Sequence, residues 1–317
     1  MKYLVDDLET VEMKAVRDGF GEGLLDLGKR NEKVVALCAD LRESVRVEGF
    51  SKAYPDRYIE VGVAEQNMIG IAAGLALEGF IPFAASYAVF SPGRSWDQIR
   101  VSVAYTHSNV KIVGGHAGIS VGPDGATHQA MEDIAMMRVL PNMIVVVPCD
   151  AEQTKKATLA LADYKGPAYL RLTRSKTAMF TNRSTPFEIG KAQVLRTGKQ
   201  LTIVGCGPVL YSALMAAEEL KEEIDIEVIN MHTIKPLDAD ALIRSAKKTG
   251  KVLTIEEHQV NGGLGGAVAE VLAEQAPTKM LRLGMNDAFG ESGDSDELMT
   301  KYGLDKDGVV RATRKLV

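Results

Sequence analysis

Two kinds of hydrophobic pattern alternate along this chain. Short, nearly unbroken apolar runs predict strands at 34–39, 58–61, 81–85, 110–114, 143–148 and 169–173. Between them, longer stretches with helical spacing predict helices at 65–77, 95–105, 129–139 and 151–162. Strands that are apolar throughout, rather than at every second position, belong to sheets buried on both faces. Their alternation with helices points to a parallel sheet covered on both sides. The pattern lapses over 175–191, SKTAMFTNRSTPFEIGK, a polar, Pro-containing stretch that reads as a linker. A second series follows, with strands at 201–204, 226–230, 252–256 and 280–283 and helices at 209–221, 239–247 and 265–274. The expected fold class is α/β: two doubly wound, mostly parallel-sheet domains, residues 1–185 and 186–317.

The 317 residues are 46% hydrophobic, enough to fill two cores. A net charge of −5 offers no basic footprint, so nucleic acid is not an expected partner. Cys38, Cys149 and Cys206 lie far apart in apolar runs without CxxC spacing, as buried reduced thiols do, and no metal site is expected from them. The opening MKYLVDDLETVEMK carries acids and no apolar core of a signal peptide, and no run approaches transmembrane length. A soluble cytoplasmic protein with no membrane partner is expected.

Three segments hold the candidate chemistry. In YIEVGVAEQ (58–66) a strand runs through Gly62 into a helix, setting the carboxylate of Glu65 at the mouth of the turn. Alone, such an acid is an ordinary helix-start residue favoured by the dipole. In SYAVFSPGRSWDQIR (86–100), Tyr87 and Phe90 follow a strand, either as core aromatics or as a platform for a planar ring. GHAGISVGPDGATHQ (115–129) interleaves His116, Asp124 and His128 with glycines that let backbone approach a ligand closely. The spacings of eight and four sit in a glycine loop and lack the helical register of a zinc site. A neutral imidazole there suits proton shuttling between hydroxyls near pH 7. Arg174 ends YLRLTR, Ser44 follows Ala39-Asp40-Leu41, and Arg17 lies in the first helical run. Each alone reads as a surface residue; together they suit a phosphate clamp.

Together these segments resemble the pyrimidine-binding half of thiamine diphosphate enzymes, and most closely transketolase. GVAE (62–65) matches the family's GV-x-E, and DGATHQ (124–129) matches DG-x-THQ. The resemblance implies that Glu65 hydrogen-bonds the N1′ atom of the cofactor's aminopyrimidine and so sets its tautomer, the protein supplying orientation and the cofactor the reactivity. Partial burial would raise the carboxyl pKa toward the working pH. Phe90 would stack on the aminopyrimidine with Tyr87 nearby, and Trp96 falls near the place of a cofactor-side tyrosine, although Pro92-Gly93 departs from the family pattern. Asp40 corresponds to an acid beside the cofactor, or is a helix N-cap. His128, catalytic with Glu65, would contact hydroxyls at the reacting carbons and Asp124 the C2 hydroxyl. His116, Arg174, Ser44 and Arg17 would hold the sugar phosphate.

HTIKPLD (232–238), TIEEH (254–258) and NGGLGGA (261–267) resemble the third domain shared by transketolases and the beta subunits of 2-oxo-acid dehydrogenases. NGGLGGA lacks the dinucleotide glycine order and reads as a turn and helix start. FGESGD (289–294) is shared with transketolase relatives and receives no chemical role from the sequence.

Thiamine diphosphate enzymes hold Mg²⁺ and the diphosphate with a GDG motif and a later Asn, which supply hard oxygen ligands and backbone amides. No GDG occurs here. The resemblance therefore implies the C-terminal subunit of a split transketolase, partnered in an α2β2 assembly by an N-terminal transketolase subunit that carries GDG and most of the Mg²⁺ site. The reaction implied is transfer of a two-carbon ketol unit from a ketose phosphate to an aldose phosphate. Deoxyxylulose-phosphate synthase shares the DG-x-THQ loop, and the beta subunit of a 2-oxo-acid dehydrogenase shares the split arrangement. A non-catalytic paralogue would keep the fold and lose the polar site residues.

Overall fold

The structure, a computed structural model, describes residues 3–317. Its first half contains β1 (Met13–Ala15), β2 (Val34–Cys38), β3 (Tyr58–Glu60), β4 (Ile81–Tyr87), β5 (Lys111–Gly115), β6 (Ile144–Val146), β7 (Ala168–Arg171) and β8 (Lys176–Ala178). The second half contains β9 (Gln193–Arg196), β10 (Leu201–Gly205), β11 (Ile226–Asn230), β12 (Thr233–Lys235), β13 (Lys251–Gln259) and β14 (Lys279–Met285). The α/β class expected from the pattern is the class found. One sheet has seven strands in the order β12-β6-β7-β5-β4-β2-β3, and a second has five in the order β14-β13-β10-β11-β9. Within these two sheets all pairings are parallel except those of the edge strands β12 and β9. β2 and β5 are buried at every position, as unbroken apolar strands between two helical layers must be.

Several elements differ from the sequence expectation. The stretch 175–191 contains β8, which pairs antiparallel with β1 in a two-stranded sheet. The helix expected at 95–105 is a short α-helical Trp96–Gln98 continued by the π-helical Ile99–Tyr105. The helix expected at 129–139 shortens to Asp133–Arg138, because the Gln129 amide bonds the Ile119 carbonyl and Ala130 pairs with Ala117. Cys38, Cys149 and Cys206 are buried free thiols. Among the described residues no helix is long and apolar enough to cross a membrane.

The two halves share a core. β12, from the second half, pairs with β6 of the first sheet, and the backbone carbonyl of His232 just before it accepts from Val147 N at 2.7 Å. One apolar cluster accordingly runs from Leu37 and Ile69 through Val145 to Ile229, Leu242 and Val252.

Asp150 fixes the helix that packs against the one carrying Arg17. Its carboxylate caps Ala151–Asp163 by accepting from Gln153 N (2.8 Å), and it also accepts from Thr181 N (2.7 Å), Phe180 N (3.1 Å) and Thr181 Oγ1 (2.9 Å). That helix packs against Val16–Arg30, where Gly19 leaves room for the Ala151 carbonyl and any β-carbon would collide with it. Asp150→Ala removes a cap and leaves buried donors unpaired, so it is expected to lower the unfolding free energy by about 3 kcal/mol in urea denaturation. Asp150→Asn, which keeps an acceptor, should lose less.

Candidate active site

The loops leaving the carboxyl ends of the parallel strands collect the candidate residues on one edge of the first sheet. Asp40 follows β2, Glu65 follows β3, Tyr87 closes β4, His116 follows β5 and Arg174 follows β7. Doubly wound sheets bind ligands at this edge because connections there are free to diverge.

Four aromatic rings form the floor. Tyr87 stacks on His116 with ring centroids 3.7 Å apart and planes 18° off parallel, and on Phe90 at 5.8 Å and 11°. His128 stands edge-on to both Phe90 (5.4 Å) and Tyr87 (6.1 Å), its Nδ1 2.8 Å from Thr127 Oγ1. The sequence separates these rings, and the meeting of β4 and β5 as sheet neighbours brings them together.

Glu65 is the first residue of the helix Glu65–Leu77, reached through a turn at Gly62 with φ +68°. Its side chain is only 4% exposed. Oε2 lies 3.5 Å from Arg94 Nη1, while Oε1 is buried without a hydrogen-bond partner. Arg94 also lies over the Phe90 ring, its Cζ 4.3 Å from the centroid. A planar guanidinium thus spans the gap between carboxylate and aromatic face. Sequence reasoning passed over Arg94, which in a polar stretch looks like any solvated arginine.

At the other end of the stack lies a cationic recess. Arg17 Nη1 donates to the Ser44 carbonyl (2.8 Å) and sits 3.4 Å from His116 Nε2. A guanidinium only donates, so Nε2 accepts and Nδ1 carries the imidazole proton. That Nδ1 and Arg17 Nε are both buried without partners. His116 is 2% exposed and in the left-handed region at φ +53°. Burial pushes its pKa down to about 3, with the charges of Arg17, Arg174 and Arg46 adding to the effect. The imidazole is therefore neutral, in a recess whose unused donors face a concentration of positive charge. Arg46, also missed in the sequence, is oriented by Asp18 Oδ1 at 2.6 Å.

The remaining candidates are placed as follows. Arg174 is half-buried and donates from Nη1 to the Val121 carbonyl at 2.9 Å. Asp124 is exposed at the end of the 3₁₀ segment Ile119–Asp124. Asp40 borders an open depression with Ser44 and Glu60. It has φ +58° and caps no helix: turns follow it, and its own N–H is bound by Glu60 Oε1 at 2.8 Å. The N-cap alternative for Asp40 is thereby replaced by a strand-end turn that Glu60 organises, Glu60 also accepting from Gly62 N (3.0 Å) and the Tyr58 hydroxyl. Trp96 is turned to the core rather than to the ring stack. Its indole packs on the first apolar cluster and its Nε1 donates to the Met136 carbonyl at 3.0 Å. Among the described residues, no group of three or more His, Cys, Asp or Glu is arranged to hold a metal ion.

Comparison with known proteins gives this geometry a family. The model described as transketolase, pyrimidine binding domain, matches residues 12–179, and that described as transketolase, C-terminal domain, matches 190–309. The chain belongs to the transketolase family. It is 49% identical over 302 residues to a transketolase C-terminal section of Methanocaldococcus jannaschii, covering 94% of this chain and 95% of that one. A 6-deoxy-6-sulfo-D-fructose transketolase subunit from Clostridium sp. is 44% identical, with 95% and 94% covered. A solved structure described as a split gene transketolase, inactive beta4 tetramer, superposes with a TM-score of 0.90 at 47% identity, covering 96% of this chain and 98% of that one. This transketolase-family chain thus corresponds over nearly its whole length to the C-terminal subunits of split transketolases, and the family uses thiamine diphosphate.

The buried histidines give a pH prediction. His116 and His232 are pushed down to about 3 and about 4, both chiefly by burial, whereas the unfolded chain takes up these protons near 6.5. Between those values the unfolded state binds more protons, so stability is full above pH 6.5 and is lost as the pH falls toward 3. Urea midpoints are expected to drop over that window, less steeply in His116→Gln. Histidine NMR should show no titration of His116 between pH 5 and 8, and a titration near 6.5 would contradict the assignment.

Proposed function

We propose that this chain supplies the ring-binding and substrate-binding walls of a thiamine diphosphate site, and that it transfers a two-carbon ketol unit from a ketose phosphate to an aldose phosphate. The observation that carries this reading is the pairing of Glu65 with Phe90. A buried carboxylate oxygen with no partner is costly, and a ring nitrogen bearing a proton would satisfy it. Phe90 offers a flat face beside it, and the guanidinium now lying there shows that a planar hydrogen-bond donor fits the gap. Arg94, with its side chain 54% exposed, is free to swing outward when a ring takes its place.

When bound, thiamine diphosphate supplies the nucleophilic carbon that cleaves and forms the bond next to a carbonyl. The side chains of this chain do the rest. Glu65 holds a proton at the ring nitrogen and fixes the ring against Phe90. His128, edge-on to the stack, exchanges protons with hydroxyls at the reacting carbons. Asp124 accepts from the C2 hydroxyl. Arg17, Arg174 and the Nδ1 proton of His116 hold the terminal anion, with Ser44 fixing Arg17. Trp96 and Asp40 stay outside this list, Trp96 because its indole is committed to the core and Asp40 because it meets none of these groups directly.

The absence of GDG from all 317 residues supports a partner, an N-terminal subunit that supplies the diphosphate and Mg²⁺ ligands in an α2β2 assembly. The solved relative's description as an inactive form made of beta chains alone supports the same requirement. The sulfosugar named for the Clostridium relative favours a second substrate reading. A cationic recess recognises a tetrahedral anion, and a sulfonate fits that description as a phosphate does.

Ketol transfer is expected only when this chain is mixed with a GDG-bearing subunit, thiamine diphosphate and Mg²⁺. Competition between xylulose 5-phosphate and 6-deoxy-6-sulfofructose identifies the donor. Glu65→Ala should cut turnover by about 10²-fold or more with the fold unchanged by circular dichroism. Full activity of that variant, or of the chain alone, would overturn the proposal.

A further inference from the structure

The site loop is gripped in part from the other domain, by Glu257 and Ser295, to which the reading above gives no role. Residues 119–121, just beyond His116, have four backbone groups in the hands of side chains. The Ile119 carbonyl accepts from Gln129 Nε2 at 3.1 Å, and Ser120 N donates to Glu257 Oε1 at 2.6 Å. The Ser120 carbonyl accepts from Ser175 Oγ and Ser295 Oγ, each at 2.8 Å, and the Val121 carbonyl from Arg174 at 2.9 Å. Gln129 is steadied in turn by the Glu291 carbonyl at 2.9 Å.

Three glycines of the loop are moulded to the same partners. Gly118, Gly122 and Gly125 have φ of +91°, +77° and +73°, a region that favours glycine. A β-carbon at Gly118 would strike the Glu257 carboxylate, one at Gly122 would lie 2.9 Å from Ser295 Oγ, and one at Gly125 would strike Ser292. The run FGESGDS (289–295) and the end of β13 are therefore the mould in which the glycine loop is cast.

From this geometry we propose that Glu257 and Ser295 are positioning residues, which hold the loop so that His116 and Arg174 converge on the anion end of the substrate and Asp124 on its C2 hydroxyl. The proposal rests on the functional reading above for the identity of that substrate, while the grip itself is independent of it. Neither residue touches the reacting groups. Their effect passes through Ser120, and it falls on substrate binding rather than on the Glu65 end, where the cofactor ring would lie.

The test uses three variants of the full chain. Glu257→Ala removes the acceptor for Ser120 N–H, Glu257→Gln keeps a carbonyl oxygen there, and Ser295→Ala deletes one donor at little cost in volume. The chain has only five histidines, and His116 carries a ring-current signature from Tyr87. In ¹³C-histidine spectra, Glu257→Ala and Ser295→Ala are expected to move the His116 resonance and leave His107 in place, with Glu257→Gln close to the parent. In the assembled enzyme the same two variants should raise the KM for the ketose phosphate by about tenfold, with thiamine diphosphate affinity unchanged. Should Glu257→Ala fail to fold, Ser295→Ala carries the test. An unmoved His116 in the folded variants would overturn the proposal, as would parallel losses of cofactor affinity and thermal stability in all three. If His116 moves but the assembled parent transfers no ketol, the grip stands and the functional reading falls.

Discussion

One buried guanidinium ties the parts of this molecule together. Arg171 ends β7 and is completely enclosed, yet it stays charged. Burial works against the charge, and the Asp133 carboxylate, with Oδ2 2.8 Å from Nε, overrides it. Tyr169 reinforces the same oxygen at 2.7 Å, and Arg171 Nη2 reaches the carbonyls of Glu257 (2.8 Å) and Ala130 (3.2 Å). A strand end, a helix start, the tail of the glycine loop and the end of β13 thus meet at one cation. Two charges taken from water repay their desolvation only when they are closely paired and hydrogen-bonded, and here Asp133 Oδ2 carries the pairing while its Oδ1 stays buried without a partner. That demand makes the junction rigid, and the rings and donors of the site hang from it.

The charge distribution follows a related logic. A chain with net charge −5 gathers Arg17, Arg46 and Arg174 around one neutral histidine. Neutrality is what allows His116 to accept from Arg17 while presenting its own N–H. A protonated ring would repel its neighbours and lose the acceptor. At the opposite end, Glu65 pairs with Arg94 at 3.5 Å, so the two ends of the stack have opposite needs: one recess wants an anion, and the other a planar proton donor.

Strands buried on both faces were legible because their apolar runs are unbroken, Glu65, Phe90 and His116 because each lies a few residues past the end of a strand, and His128 because it stands in the DGATHQ motif of the glycine loop. β12, β1 and β8 were not. Three-residue strands carry too little pattern, and β12 exists only because a distant edge is there to receive it. Helical spacing in 99–105 cannot distinguish α from π winding, so the expected helix was drawn as one. The aromatic character of Trp96 gave no hint that its N–H would be spent on Met136. Arg94 and Glu257 were invisible for a simpler reason: their partners lie 29 and 137 residues away in the chain. Polar residues of that sort acquire a role only from the topology.

The antiparallel seam between β12 and β6 has a bearing on how such a chain can be divided by evolution. A gene break between residues 185 and 233 would leave β6 as a bare edge, with unpaired backbone groups inviting other strands to add. It would also cut through a core that contains Val145 and Ile229 alike. The pyrimidine-binding and C-terminal domains are consequently interlocked as one structural unit, and the relatives that match this chain nearly from end to end span both.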